Sequence, residues 1–217
     1  PDSPASWFNG AVDNNPSSAL AYIVRAGFHR RSKNIAKALT DLEQAEKQDL
    51  SDPEVQLRLA NEFINADILD KAEEHLTAVQ TATPTNQDLW QIWALLALNS
   101  KSQEKMLKIA ETGLKELSSQ PWDFMPIATE LFIRGGQLDR AADCISEMNL
   151  KDVSPVAVAF LEGLLAAERG NLFEAVKYWQ QSIGLGNTSS QVRLVLASAL
   201  SRLGNTRLAL GHLRTLV

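Results

Sequence analysis

Cysteine occurs once in this chain, at Cys144, and a single thiol excludes an internal disulfide framework. It leaves reducing and oxidising compartments equally open. No basic neighbour or second thiol in the sequence activates it, so Cys144 reads as a small, half-buried filler. Histidine is scarce: His29, His75 and His212 stand in different parts of the chain, too far apart for a local set of metal ligands. Glycine never forms a phosphate-cradling loop ahead of a lysine, since Gly135-Gly136 runs into Gln137-Leu138. Neither an HExxH nor a nucleophile-elbow motif is present. No enzymatic activity, cofactor or metal is therefore expected. Positive charge is in deficit, with a net charge of −5 and a pI of about 5.3, which argues against binding a nucleic-acid backbone. No long uninterrupted apolar span occurs, so direct membrane insertion is not expected.

What the chain does have is apolar residues in a fixed rhythm. Its 217 residues are 45% hydrophobic and 22% charged, which suits a protein with a large buried area. The clearest stretch runs from Pro53 to Pro84. Leu59, Ala60 and Phe63 fall on one face of a first helix, and Ala72, Leu76 and Val79 on one face of a second. Asp52-Pro53 supplies a cap and a first-turn proline. Asp67 and Asp70 bracket the turn, Asp70 is placed to cap the second helix, and Pro84 stops it. One such hairpin cannot bury its own apolar faces and needs copies beside it.

The copies are present. Ala38, Ala72 and Met106 are 34 residues apart, Ala141 follows after 35, and Ala175 and Ala209 after 34 each. A small residue recurs in most first helices, at Ala26, Ala60, Ala94, Gly163 and Ala197, where it would face the partner helix. Leu42, Leu76, Ile145, Trp179 and Leu213 fill the matching large position in second helices. On this helix-turn-helix period the chain resembles the tetratricopeptide repeat (TPR) family over nearly its whole length. The resemblance implies an all-α, right-handed superhelical solenoid in one array. Residues 1–16 would be part of a preceding repeat, followed by repeats at 17–51, 52–85, 86–120, 121–154, 155–188 and 189–217, the last incomplete.

Local features refine this expectation. Tyr22, Arg25, Ala26 and His29 are spaced as turns of one helix, and Arg30, Arg31 and Lys33 gather at its end, where a solvated helix C-terminus favours cations. The third repeat is the weakest: Met106 replaces the usual alanine, Gly113 serves close packing, and Leu107, Ala110 and Leu114 form its stripe. The fourth begins at Pro121-Trp122, holds Pro126 in its first turns and ends its second helix early, at Asn149. Gly170 and Gly204, one period apart, are placed for positive-φ turns. The opening Pro1-Asp2-Ser3-Pro4 carries neither an initiator Met nor a signal peptide. Phe8 reads as a remnant of an earlier repeat, and the last helix as still running at Val217, so a fragment of a longer chain is expected. An uncovered apolar face near Leu208 or Leu216 would allow weak self-association.

In TPR proteins the first helices line the concave side, where ligands usually bind. Carried over, that orientation gives a candidate protein-binding lining. Val24, Gly27, Arg31, Arg58, Asn61, Asn65, Ile92, Leu95, Asn99, Ile127, Glu130 and Arg134 come from the first four repeats. Leu161, Leu164, Glu168, Val195, Ser198 and Arg202 come from the last two. The family's best-known version grips a peptide C-terminal carboxylate with paired Asn and Lys residues. This chain departs from it, for only Asn61 resembles one of those asparagines. The partner implied is an extended or helical protein segment, making the chain a protein-protein interaction scaffold. A structural spacer with an empty groove and a regulatory module of a larger protein stay open beside it. Bacterial envelope and polysaccharide-export systems use similar arrays, so a periplasmic or envelope location stands beside a cytoplasmic one.

Overall fold

The computed structural model describes residues 4–216; the expectations placed on Pro1, Asp2, Ser3 and Val217 lie outside the described residues. Among these there are thirteen α-helices, one 3₁₀ turn and no strand. By packing, the chain divides into two units, Pro1–Lys101 and Ser102–Val217. The first holds α1 (Pro4–Asn14), α2 (Ala19–Arg31), α3 (Ile35–Ala45), α4 (Pro53–Asn65), α5 (Leu69–Ala82) and α6 (Gln87–Ser100). The second holds α7 (Gln103–Glu116), α8 (Met125–Arg134), α9 (Leu138–Leu150), α10 (Pro155–Glu168), α11 (Leu172–Gly184), α12 (Ser190–Arg202) and α13 (Thr206–Arg214). The division falls at the turn of the third expected repeat.

Within the first unit, α2 pairs with α3 and α4 with α5 as helical hairpins. The first helices also lie side by side, α4 touching both α2 and α6. Within the second, α8 pairs with α9, α10 with α11 and α12 with α13, while α7 packs on α8. The fold is a run of helix-turn-helix hairpins, as the spacing requires. The apolar stripes meet where expected: Leu59, Ala60, Phe63, Ala72, Leu76 and Val79 are all buried. Ala26, Ala94, Gly163 and Ala197 are buried too. Phe8 of α1 stacks on Phe28 of α2 with ring centroids 4.8 Å apart. A very close approach occurs in α10. The Trp179 indole donates to the Phe160 carbonyl at 3.2 Å, and a Cβ added at Gly163 would stand 2.3 Å from that nitrogen.

Every hairpin turn uses the same backbone device. One residue adopts a positive φ: Lys33 (61°), Asp67 (62°), Gly136 (82°), Gly170 (83°) and Gly204 (81°), as does Lys101 (56°) in the turn where the two units join. In five of these turns the next N–H reaches back five residues, as from Asn34 to the His29 carbonyl at 2.8 Å and from Asn205 to Leu200 at 2.8 Å. This is the Schellman closure, which satisfies the last carbonyls of one helix while reversing the chain. The residue after the left-handed one then caps the next helix. That is why α5 starts at Leu69 with Ile68 as its N-cap and no side-chain capping bond, and why Asp70 lies inside the first turn instead of capping it.

A second periodic tie holds the three first helices of the first unit, α2, α4 and α6, to the loops before them. Tyr22, Gln56 and Trp90 each donate to the carbonyl six residues upstream, of Pro16, Leu50 and Pro84, at 3.1, 2.7 and 2.7 Å. Further polar bonds lock neighbouring helices. Arg25 grips the buried Asp41 through two nitrogens, at 2.9 and 2.6 Å. Lys71 reaches Glu46 at 2.6 Å, and Arg140 pairs with Glu111.

Four local expectations are corrected. The stripe of α7 is Met106, Ile109, Ala110 and Gly113, with Leu107 only half-buried. In the fourth repeat Pro121–Asp123 forms a 3₁₀ turn, so α8 begins only at Met125; α9 runs one residue past Asn149, to Leu150. At the far end α13 stops at Arg214. Leu213 is exposed, not core, along with Leu208, because no helix among the described residues follows to cover them.

Candidate protein-binding face

The first helices of the first unit present residues one period apart at the same height. Gly27 of α2, Asn61 of α4 and Leu95 of α6 correspond, and so do Val24, Arg58 and Ile92. Between α2 and α4 lies a depression of about 220 Å³ that gathers Val24, Gly27, Arg31, Arg58 and Asn61. Ile23 and Glu62 complete its wall. A neighbouring one of about 340 Å³, between α4 and α6, shares Arg58 and Asn61 and adds Ile92, Leu57, Gln91 and the acids Glu54 and Asp88.

The charges in this region are unequally engaged. Arg30 binds Glu62 through Nε at 3.0 Å, so it is not merely solvated at the helix end. Arg58 pairs with Glu54 one turn earlier on α4, at 2.5 Å. Arg31 is exposed and has no ion pair among the described residues. Asn65 is exposed at the end of α4, and Asn99 donates to the Leu95 carbonyl of its own helix at 2.8 Å. Leu95 is exposed at the same edge.

In the second unit the corresponding face has its polar groups engaged. Ile127, Glu130 and Leu161 border a depression of about 270 Å³ with Pro126, Val156 and Phe160. Glu130 accepts from Arg134 at 2.9 Å and from Gln191 of α12 at 2.9 Å. Arg134 is thereby occupied. Leu161 and Leu164 are 2% and 7% exposed, so little of either is open to a ligand. Val195 is half-buried, while Glu168, Ser198 and Arg202 are exposed.

Sequence reasoning missed Ile23, Leu57 and Gln91. They are one period apart and one turn before Gly27, Asn61 and Leu95, so the same periodicity would have found them. It also missed a depression of about 450 Å³ between α9, α10 and α11, lined by Glu162, Glu174 and Tyr178. Burial pushes the Glu162 carboxyl up, against a hydrogen bond from Asn149, with Glu174 adding to the rise. Burial likewise raises the Tyr178 phenol, helped by the two carboxylates. Burial also raises the Cys144 thiol, despite a hydrogen bond with Thr129, which keeps it protonated and unreactive. Among the described residues no group of His, Cys, Asp and Glu is placed to hold a metal ion, and no helix is long and apolar enough to cross a membrane. There is no catalytic constellation among them.

No family model matches the sequence, and no curated protein matches it. Solved structures do. A tetratricopeptide repeat protein from Parabacteroides merdae superposes with a TM-score of 0.65 at 13% identity, over 90% of this chain and 76% of that one. The fold is TPR-like. A thermophilic TPR protein from Thermus thermophilus gives 0.61 at 17% identity, over 84% and 99%. YrrB, described as a TPR protein with an unusual peptide-binding site, gives 0.52 at 16% identity, over 87% and 96%. At these identities the likeness is one of fold. Yeast and human chains share it as well as bacterial ones, so the fold assigns no source.

Proposed function

We propose that this chain is a non-enzymatic scaffold that binds a protein or peptide segment on its first-helix face, chiefly in the first unit. The observation that supports it most is the paired depression around Arg58 and Asn61, which collects six of the expected lining residues. TPR-like folds are associated with such interactions, and YrrB is one with a peptide-binding site. In this reading the six repeats and the partial first one act as a single array with the boundaries given above. The exposed Leu208 and Leu213 add a surface for weak self-association. A spacer role is favoured for the second unit by one observation: the Arg134–Glu130–Gln191 bonds engage its polar groups, and Leu161 and Leu164 are buried.

The test is affinity capture from the cell that makes the protein, with wild type and an Arg58→Ala/Asn61→Ala variant. Arg58 is exposed and Asn61 only half-buried, so the variant should fold normally by circular dichroism. Loss of the captured partner is the expected outcome. Recovery unchanged in the folded variant would place recognition elsewhere.

A further inference from the structure

We infer that the depression between α2 and α4 is a subsite for an acidic side chain. It seats the carboxylate of an Asp or Glu, within an internal stretch of a partner, against Arg31 and Asn61. This rests on the first-helix face being the binding surface and names the chemistry that it selects.

Charge accounting carries the first part. Of the cations around the depression, Arg30 is satisfied by Glu62 at 3.0 Å and Arg58 by Glu54 at 2.5 Å. Those two pairs cancel, and Arg31 is left with no ion pair or hydrogen bond among the described residues. The cavity wall therefore holds one uncompensated guanidinium, a planar, weakly hydrated donor that pairs well with carboxylate oxygens.

Space carries the second part. Gly27 stands inside α2, where glycine weakens a helix. A Cβ there would come within 3.3 Å of Arg31 Nη1 and 3.3 Å of Glu62 Oε1. Glycine thus keeps open the room directly beside the free guanidinium. Asn61, half-buried across the gap, offers its amide as a second donor.

The surroundings carry the choice of an internal side chain over a chain end. Val24, 41% exposed, lies on one side of the depression. Ile92, half-buried, lines the adjoining one beyond Arg58 and Asn61. A chain that continues in both directions past the carboxylate covers both apolar borders, and its aliphatic neighbour fills the second depression.

A library of random twelve-residue peptides, displayed without a free C-terminus, can be panned on the wild type, on Arg31→Gln and on Arg58→Ala/Asn61→Ala. The strongest wild-type binders are then made as C-terminal amides and as free acids, and with Asp/Glu replaced by Asn/Gln. The expected result is an acidic residue beside an aliphatic one in the enriched peptides, with amides binding as well as free acids. Arg31→Gln and the acid-to-amide change should each weaken binding by about tenfold or more, and together by no more than either alone. The peptide-side change keeps the test decisive even if Arg31→Gln folds poorly. Binders that lack an acid, tolerate Arg31→Gln and fail on Arg58→Ala/Asn61→Ala would overturn the carboxylate subsite while leaving the face intact. Binding by free acids only would overturn the internal side chain. Failure to enrich any peptide on the wild type would count against the face itself.

Discussion

The two units close the same hairpin turn with different residues. The first uses Lys33 and Asp67 at positive φ, and the second Gly136, Gly170 and Gly204. The hydrogen bonds around them match to within a few tenths of an ångström, so the turn is set by the packing of the hairpin, and residue type only adjusts its cost. The same contrast runs through the first-helix faces. In the first unit polar groups line depressions and Arg31 is unengaged, while in the second Glu130 holds both Arg134 and Gln191, and Leu161 and Leu164 are buried. One repeat geometry therefore supports a face with a free cation and a face whose cation is engaged.

The largest effect expected from breaking this comparison is in α10. Gly163→Ala puts a Cβ 2.3 Å from the Trp179 nitrogen, so the indole must move and lose its bond to Phe160. Denaturant melts should show a loss of about 3 kcal/mol. Ala60→Leu in the first unit, a far larger change in volume at the corresponding position, should cost about 1–3 kcal/mol. A melt of Ala60→Leu that overlays the wild type would show that α4 and α5 do not cross where described.

The turns come next. Lys33→Gly and Asp67→Gly should each stabilise by about 1 kcal/mol, since a left-handed residue without a Cβ is free of its clash. Gly170→Ala should destabilise by a similar amount. Equal melting points for all three would mean that the turns relax away from positive φ.

Gly27→Ala should separate stability from binding. It should stabilise α2 by about 0.5–1 kcal/mol while narrowing the space beside Arg31, so the melting point rises as peptide affinity falls. A rise in both would remove the reason given for a glycine there.

The smallest effect concerns pH. The Glu162 carboxyl is raised in the folded chain, so the folded state holds its proton where the unfolded chain has released it. Stability from this group is therefore present at low pH and lost as pH rises through the carboxylate range. Glu162→Gln should flatten that part of the curve in melts followed from about pH 4 to 7, whereas an unchanged slope would assign it to other carboxylates.

These contrasts also show where the sequence could be read. Alanines and glycines at one period gave the hairpins because close crossings tolerate little else. Gly170 and Gly204 announced their turns, but Lys33 and Asp67 carry no such signal, and the shift of α5 onto Ile68 followed unseen. The Tyr22, Gln56 and Trp90 ties were hidden because three unlike side chains reach one kind of carbonyl. Arg31, Arg58 and Asn61 could be named from their helix position. Their engagement could not, since it depends on which carboxylate each neighbour has already taken. Leu161 and Leu164 show the same limit from the apolar side, because a stripe on a first helix reads alike whether it lines a groove or is buried.

The central claim is that partners meet the first-helix face of the first unit. A photo-crosslinking residue placed at Val24, exposed beside the α2–α4 depression, tests it most directly against one at Phe173, which is 75% exposed on a second helix. Crosslinked adducts at position 24 and none at 173, in the cell that makes the protein, are the predicted result. Adducts at 173 with none at 24 would contradict it.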